Sequence, residues 1–119
     1  MAPAFFRLPL NLPHAATVAA RIRYHRQGAA DESTRKLVHL LDPYREQEDN
    51  PPAEEARRVA DEAAALARQV VDEIEAAKVG HDRLGQAVRN FFECLSLGEE
   101  GAAISLRAGE NPNSSLRPQ

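Results

Sequence analysis

A chain of 119 residues has room for one domain with a buried core and not for two. Its single cysteine, Cys94, excludes an internal disulfide framework, and no apolar run reaches the roughly 18 residues of a membrane-spanning helix. The net charge of -3 at pH 7 is unevenly spread: Met1 to Ala30 carries four arginines and no acid, whereas Asp31 to Lys78 carries thirteen acids against seven bases. A basic head and an acidic middle are thereby placed to attract each other, within the fold or between subunits.

The first thirteen residues read as an extended apolar arm. Prolines 3, 9 and 13 fix their own φ and restrain the residue before each, while Phe5, Phe6, Leu8, Leu10 and Leu12 offer side chains to pack on the domain or on a partner. The prolines also interrupt what would otherwise be the apolar run of a secretory signal. The acid-free first 30 residues keep the composition of an organellar transit segment, so organellar targeting stands as the alternative to a cytoplasmic location.

Pro13 suits the first turn of a helix running to about Gln27 and closed by Gly28. Ala15, Val18, Ala19 and Ile22 share its apolar face, which His25 extends. Asp31 can cap a second helix with the stripe Leu37, Val38, Leu40, Leu41 and Tyr44, and Pro43 should end or bend it near Leu41. The polar stretch 45–52, REQEDNPP, is an acidic linker, and Asn50 is placed to cap the next helix with Pro51 at its first position.

From Ala53 to about Val79 the spacing predicts a long helix whose apolar face is mostly alanine: Ala56, Val59, Ala60, Ala63, Leu66, Ala67, Val70, Val71, Ile74 and Ala77. Alanine contributes little transfer energy, so such a face needs a close neighbour from this chain or from another subunit. Glu54 with Arg58, Arg57 with Asp61 and Arg68 with Asp72 are spaced for ion pairs along the helix. Gly80 breaks it. A fourth helix follows from His81 or Asp82, with Leu84, Ala87, Val88, Phe91, Phe92 and Leu95 inward, Gly98 as its stop, and a short turn near Glu100 to Leu106 beyond. The nine residues Leu95 to Ala103, LSLGEEGAA, are similar to a segment in the helical arm of large bifunctional proline-catabolic enzymes, and no function is carried over from them. The fold expectation is an all-α, small irregular bundle: an arm over 1–13, a helical domain over 14–107 and a flexible tail over 108–119.

Chemistry leaves few handles. His14 and His25 stand about 16 Å apart along one helix, too far to share an ion, and no HExxH motif or cysteine pair is present. The glycines form no phosphate-binding loop, and no nucleophile elbow appears. Cys94 beside two phenylalanines reads as a small buried hydrophobe.

The segment RIRYHRQG, Arg21 to Gly28, is the strongest binding signal. Its arginines fringe the apolar face at divergent angles instead of forming one basic stripe, which favours a protein partner over a polyanion. The expectation is a noncatalytic protein-interaction or assembly module of the regulatory or accessory-subunit kind, which binds a partner or itself through Phe5, Phe6, Leu8, Leu10, Arg21, Arg23 and Arg26. Two alternatives are a nucleic-acid-binding regulator using Arg21, Arg23, Tyr24 and Arg26, and a small helical enzyme or subunit using dispersed histidines and Cys94. Neither a metal, a cofactor nor a specific small molecule is called for.

Overall fold

The computed structural model describes residues 9–26, 32–77 and 82–104, and within them the chain is all-helical, with no strand. Five α-helices, α1 (Leu12–His25), α2 (Glu32–Leu41), α3 (Ala53–Ala77), α4 (Asp82–Cys94) and α5 (Gly98–Ala102), are joined by a 3-10 turn over Asp42–Tyr44. The expected Gly28, Asp31 and Gly80 punctuation lies outside the described residues, as do Phe5, Phe6, Leu8, His81 and the tail beyond 104.

α1 is held by its start. Pro13 lies in the first turn, the Asn11 side chain accepts from the His14 N–H at 3.0 Å, and the Asn11 N–H donates to the Cys94 carbonyl at 2.9 Å. A second amide comes from the linker: Asn50 Oδ1 accepts from the Leu12 N–H at 2.7 Å, and Asn50 Nδ2 donates to the Leu10 carbonyl at 2.8 Å. Asn50 therefore caps α1 and not α3, which corrects the expectation that it opens the long helix. The reason lies in the two prolines, each of which disfavours helical backbone in the residue before it. Pro51 is thereby kept out of the helix, and the first helical bond runs from the Ala56 N–H to the Pro52 carbonyl.

α2 ends at Leu41 as Pro43 demands, and Tyr44 is tied forward by donating its hydroxyl to Glu55 Oε2 at 2.6 Å. At the other end of α2, Ser33 Oγ lies 3.0 Å from both Gln69 Oε1 and Glu73 Oε2 and donates to one at a time. The start of α2 thus meets the later half of α3, and its end meets the start of α3, so the two helices run antiparallel. α3 buries Ala56, Val59, Ala63, Ala64, Ala67, Val70 and Ile74 inside the chain. The neighbour that its alanine face requires is supplied within the chain mainly by α2.

Successive helix contacts follow the order α3, α2, α1, α4, α5. Arg68 joins the two ends of this series by reaching from α3 to α5, where Nε and Nη2 donate to Glu100 at 2.8 and 2.9 Å. Arg68 was expected to pair with Asp72 along its own helix. The planar guanidinium instead takes a carboxylate it can meet with two parallel bonds. Of the pairs foreseen along α3, neither Glu54 with Arg58 nor Arg57 with Asp61 closes to ion-pair distance.

α4 stops at Cys94, and Gly98 is the first residue of α5, not the terminator of α4. The chain reverses at Ser96, which holds φ at 64° while the Ser96 N–H bonds the Glu93 carbonyl and the Leu97 N–H bonds the Phe92 carbonyl. This is the left-handed closure that glycine usually provides, made here by serine. Since a side chain in that conformation costs roughly 1–2 kcal/mol, Ser96→Gly should stabilise the fold by about 1 kcal/mol and raise Tm by roughly 4 °C. A thermal melt that moves down would contradict this account of the turn.

Candidate functional site

The six side chains from Arg21 to Arg26 can be placed, and they divide. Taking Val18 as zero on an ideal helix, Arg21 falls at about -60°, Tyr24 at about -120° and Arg23 at about 140°, all outside the arc of Ala15, Ile22 and Ala19. These three are exposed, and Tyr24, at 66% exposure, is the one large hydrophobic residue left in the open among the described residues. Its ring meets His25 edge-on, with centroids 5.5 Å apart and an interplanar angle of 72°.

Arg26 goes the other way. It falls at about 80°, between Ile22 and Ala19, and only 7% of it is exposed. The angle was available in the sequence, but charge argued for the surface and proved the poorer guide. Arg23 and Arg26 are therefore not brought together on one contact surface: Arg23 is open to a partner, and Arg26 is taken up by the protein itself. Of the arm residues expected to bind, Leu10 is partly buried against this chain's own core, and Phe5, Phe6 and Leu8 lie outside the described residues.

The groups considered for chemistry stay apart. His14 and His39 are exposed, His25 is half-buried against Tyr24, and no cluster of three or more histidine, cysteine or acidic side chains among the described residues could hold a metal ion. Cys94 is buried, and the loss of solvent, with Glu93 nearby, pushes its thiol up to about 11 from an ordinary 9.0. At pH 8 the native thiol should react with an alkylating reagent at least about a hundredfold more slowly than in urea. Because its folded pKa is raised, the stability it contributes is complete below pH 9 and is lost as pH rises through about 11. Tyr44, raised by donating to the Glu55 carboxylate, adds to the same alkaline loss. Denaturation midpoints recorded across that range check the sign, and a midpoint that rises would refute it.

One further concavity lies on the outer surface where α2 and α3 meet. It is an open groove of about 630 Å³. Leu40, Leu66 and the exposed Ala65 supply its apolar surface, Arg35, Lys36 and His39 line its α2 side, and Glu62 stands on its α3 side. Glu32 completes the α2 side and pairs with Lys36 at 3.6 Å. Sequence reading placed Leu40 and Leu66 in their apolar stripes but did not find the groove, because antiparallel pairing of α2 with α3 had first to align the two edges.

A small helical bundle with an aromatic and cationic edge on α1 and a lined groove between α2 and α3 is the class these features define. No described helix is long and apolar enough to cross a membrane. No protein-family model matches the chain, and no match is found among curated proteins or solved structures.

Proposed function

We propose that the chain is a noncatalytic protein-interaction or assembly module whose contact edge is Tyr24 with Arg21 and Arg23. The observation that carries this reading is the exposure of Tyr24 between two exposed arginines, in a protein whose other large apolar side chains, where described, are covered or half-covered. Tyrosine and arginine are the residue types that concentrate binding energy at protein interfaces, because each presents a large, stiff surface together with a polar group. A partner that fits would offer an apolar pocket for the ring and carboxylates at its rim, which the two guanidinium groups can meet by paired hydrogen bonds.

The nucleic-acid alternative loses part of its set, since Arg26 is buried, and the acidic exterior of α3 works against a polyanion. The test is a photoreactive phenylalanine derivative in place of Tyr24 in the source cell. The expected result is a discrete protein adduct that Arg23→Glu diminishes. Adducts made mainly to nucleic acid, or none under conditions where the chain is folded, would overturn the reading.

A further inference from the structure

The outward side of α1 carries a repeat of its own. Pro13, Thr17, Ala20 and Tyr24 follow one another at alternating four- and three-residue steps, the spacing at which one helix meets another along its length. On an ideal helix, with Val18 again at zero, they fall between about -160° and -100°, opposite the buried arc, whose middle lies near 80°. Thr17 and Tyr24 are exposed, and Pro13 and Ala20 are half-buried. Threonine and alanine are short, so a second backbone can come close over the middle of the stripe while the Tyr24 ring rises at its end.

Charge defines what that second backbone carries. Arg21 lies on one flank of the stripe at about -60° and Arg23 on the other at about 140°, with Ile22 between them turned into the core. Both arginines are exposed, and α1 contains no acidic residue. In paired helices these flanking positions hold the ions that select the partner. A second copy of the same face would bring further cations and no carboxylate, so like-charge repulsion disfavours it.

We infer that α1 is covered by an amphipathic α-helix of another protein, which lies along Thr17, Ala20 and Tyr24 and carries Asp or Glu on both flanks, opposite Arg21 and Arg23. The inference deepens the function proposed above by stating the form and charge of the partner, and it rests on that reading.

The test uses the full chain in the source cell with photoreactive groups at two places, the phenylalanine derivative at Tyr24 and a compact aliphatic diazirine at Thr17. The two positions stand about 10 Å apart along the helix axis. A partner helix spans that distance in about seven residues, whereas an extended strand spans it in about three. Both groups should attach to one partner protein, at sites about seven residues apart, with an acidic residue within a turn of each. Thr17→Glu sets a carboxylate in the stripe, against the partner's acids and one turn from Arg21, so it should lower the Tyr24 adduct about tenfold. Thr17 is exposed, so its replacement leaves the core intact, and helix content by circular dichroism verifies it.

Attachment sites about three residues apart, or in unconnected segments, overturn the inference. So do a Tyr24 adduct that Thr17→Glu leaves unchanged and an adduct of the chain to a second copy of itself. In each of these cases a protein adduct at Tyr24 that Arg23→Glu diminishes removes the covering helix and leaves the Tyr24 edge standing. No adduct at Tyr24 removes both readings.

Discussion

Phe91→Ala should cost about 3–5 kcal/mol of folding stability and lie toward the upper end of that range. Phe91 and Phe92 are fully buried, and α1, the helix against which α4 mainly packs, contributes Ala15, Ala16 and Ala19 to the same core, with Ala87 of α4 also covered. An alanine methyl has no alternative rotamer with which to reach into a vacated space. The helices themselves would have to move to fill the void, so most of it should remain open, and the penalty grows with the residual cavity. For a domain whose whole stability is of order 5–15 kcal/mol, one such change removes a large share.

Urea unfolding measures the effect directly, and the midpoint should fall while the slope stays near its native value. Phe91→Leu restores most of the volume and should cost about 1 kcal/mol. A loss below about 1.5 kcal/mol for the alanine variant would mean that the site collapses, contrary to the reasoning from alanine neighbours.

Local periodicity carried most of the helical framework in the sequence. Ala15, Val18, Ala19 and Ile22 are buried as their spacing requires, and so are Leu84, Ala87, Val88, Phe91, Phe92 and Leu95 of α4. Pro43 ended α2 because a missing amide is a local fact. What was not legible depends on partners distant in the chain. Asn50 is a good cap by type, but which helix it caps depends on the approach of α1, some 38 residues away in sequence. Arg68 had an acid one turn along its own helix, and only the position of α5 reveals the better one at Glu100.

The same distinction governs the candidate site. Tyr24 and Arg21 could be placed outward by angle alone, whereas Arg23 falls between the buried Leu12 and Ala16 on the same helix, and the groove required the pairing of α2 with α3. Arg26 is the instructive case because local angle and residue type disagreed there. A long side chain can bury its aliphatic stem along an apolar face, so an arginine on the arc of Ile22 and Ala19 is compatible with packing.

Gly101→Ala should destabilise the fold by about 1–3 kcal/mol, whereas Gly98→Ala, three residues earlier in the same short helix, should be neutral or slightly stabilising. Helix propensity favours alanine at both positions, so propensity alone predicts two gains. Geometry separates them. A Cβ on Gly98 would meet only Glu93 Cγ at 3.7 Å, an ordinary contact with a flexible side chain. On Gly101 it would stand 2.9 Å from the Arg89 carbonyl oxygen and 3.0 Å from Phe92 Cβ. Neither of those atoms can turn aside by a rotamer change, because one is helix backbone and the other is the root of a buried ring.

α5 would therefore have to lift from α4, and two tethers resist that movement. Arg89 Nη1 donates to the Ile104 carbonyl at 3.3 Å, and Glu100, adjacent to the glycine, holds Arg68 of α3. Arg68 keeps the Glu100 carboxyl below its usual range, so this contribution is present above the ordinary carboxylate pKa and fades as pH falls through the depressed one. If α5 lifts in Gly101→Ala, the pair loosens, and Glu100→Gln should then cost less in that background than in the native chain. The pair is partly exposed, so the native cost itself is only about 0.2–1 kcal/mol, and the difference is best read from a double-mutant cycle at neutral pH and low salt. Equal melting temperatures for Gly101→Ala and Gly98→Ala would show that α5 does not need the close approach and that α4 and α5 pack more loosely than their backbones imply.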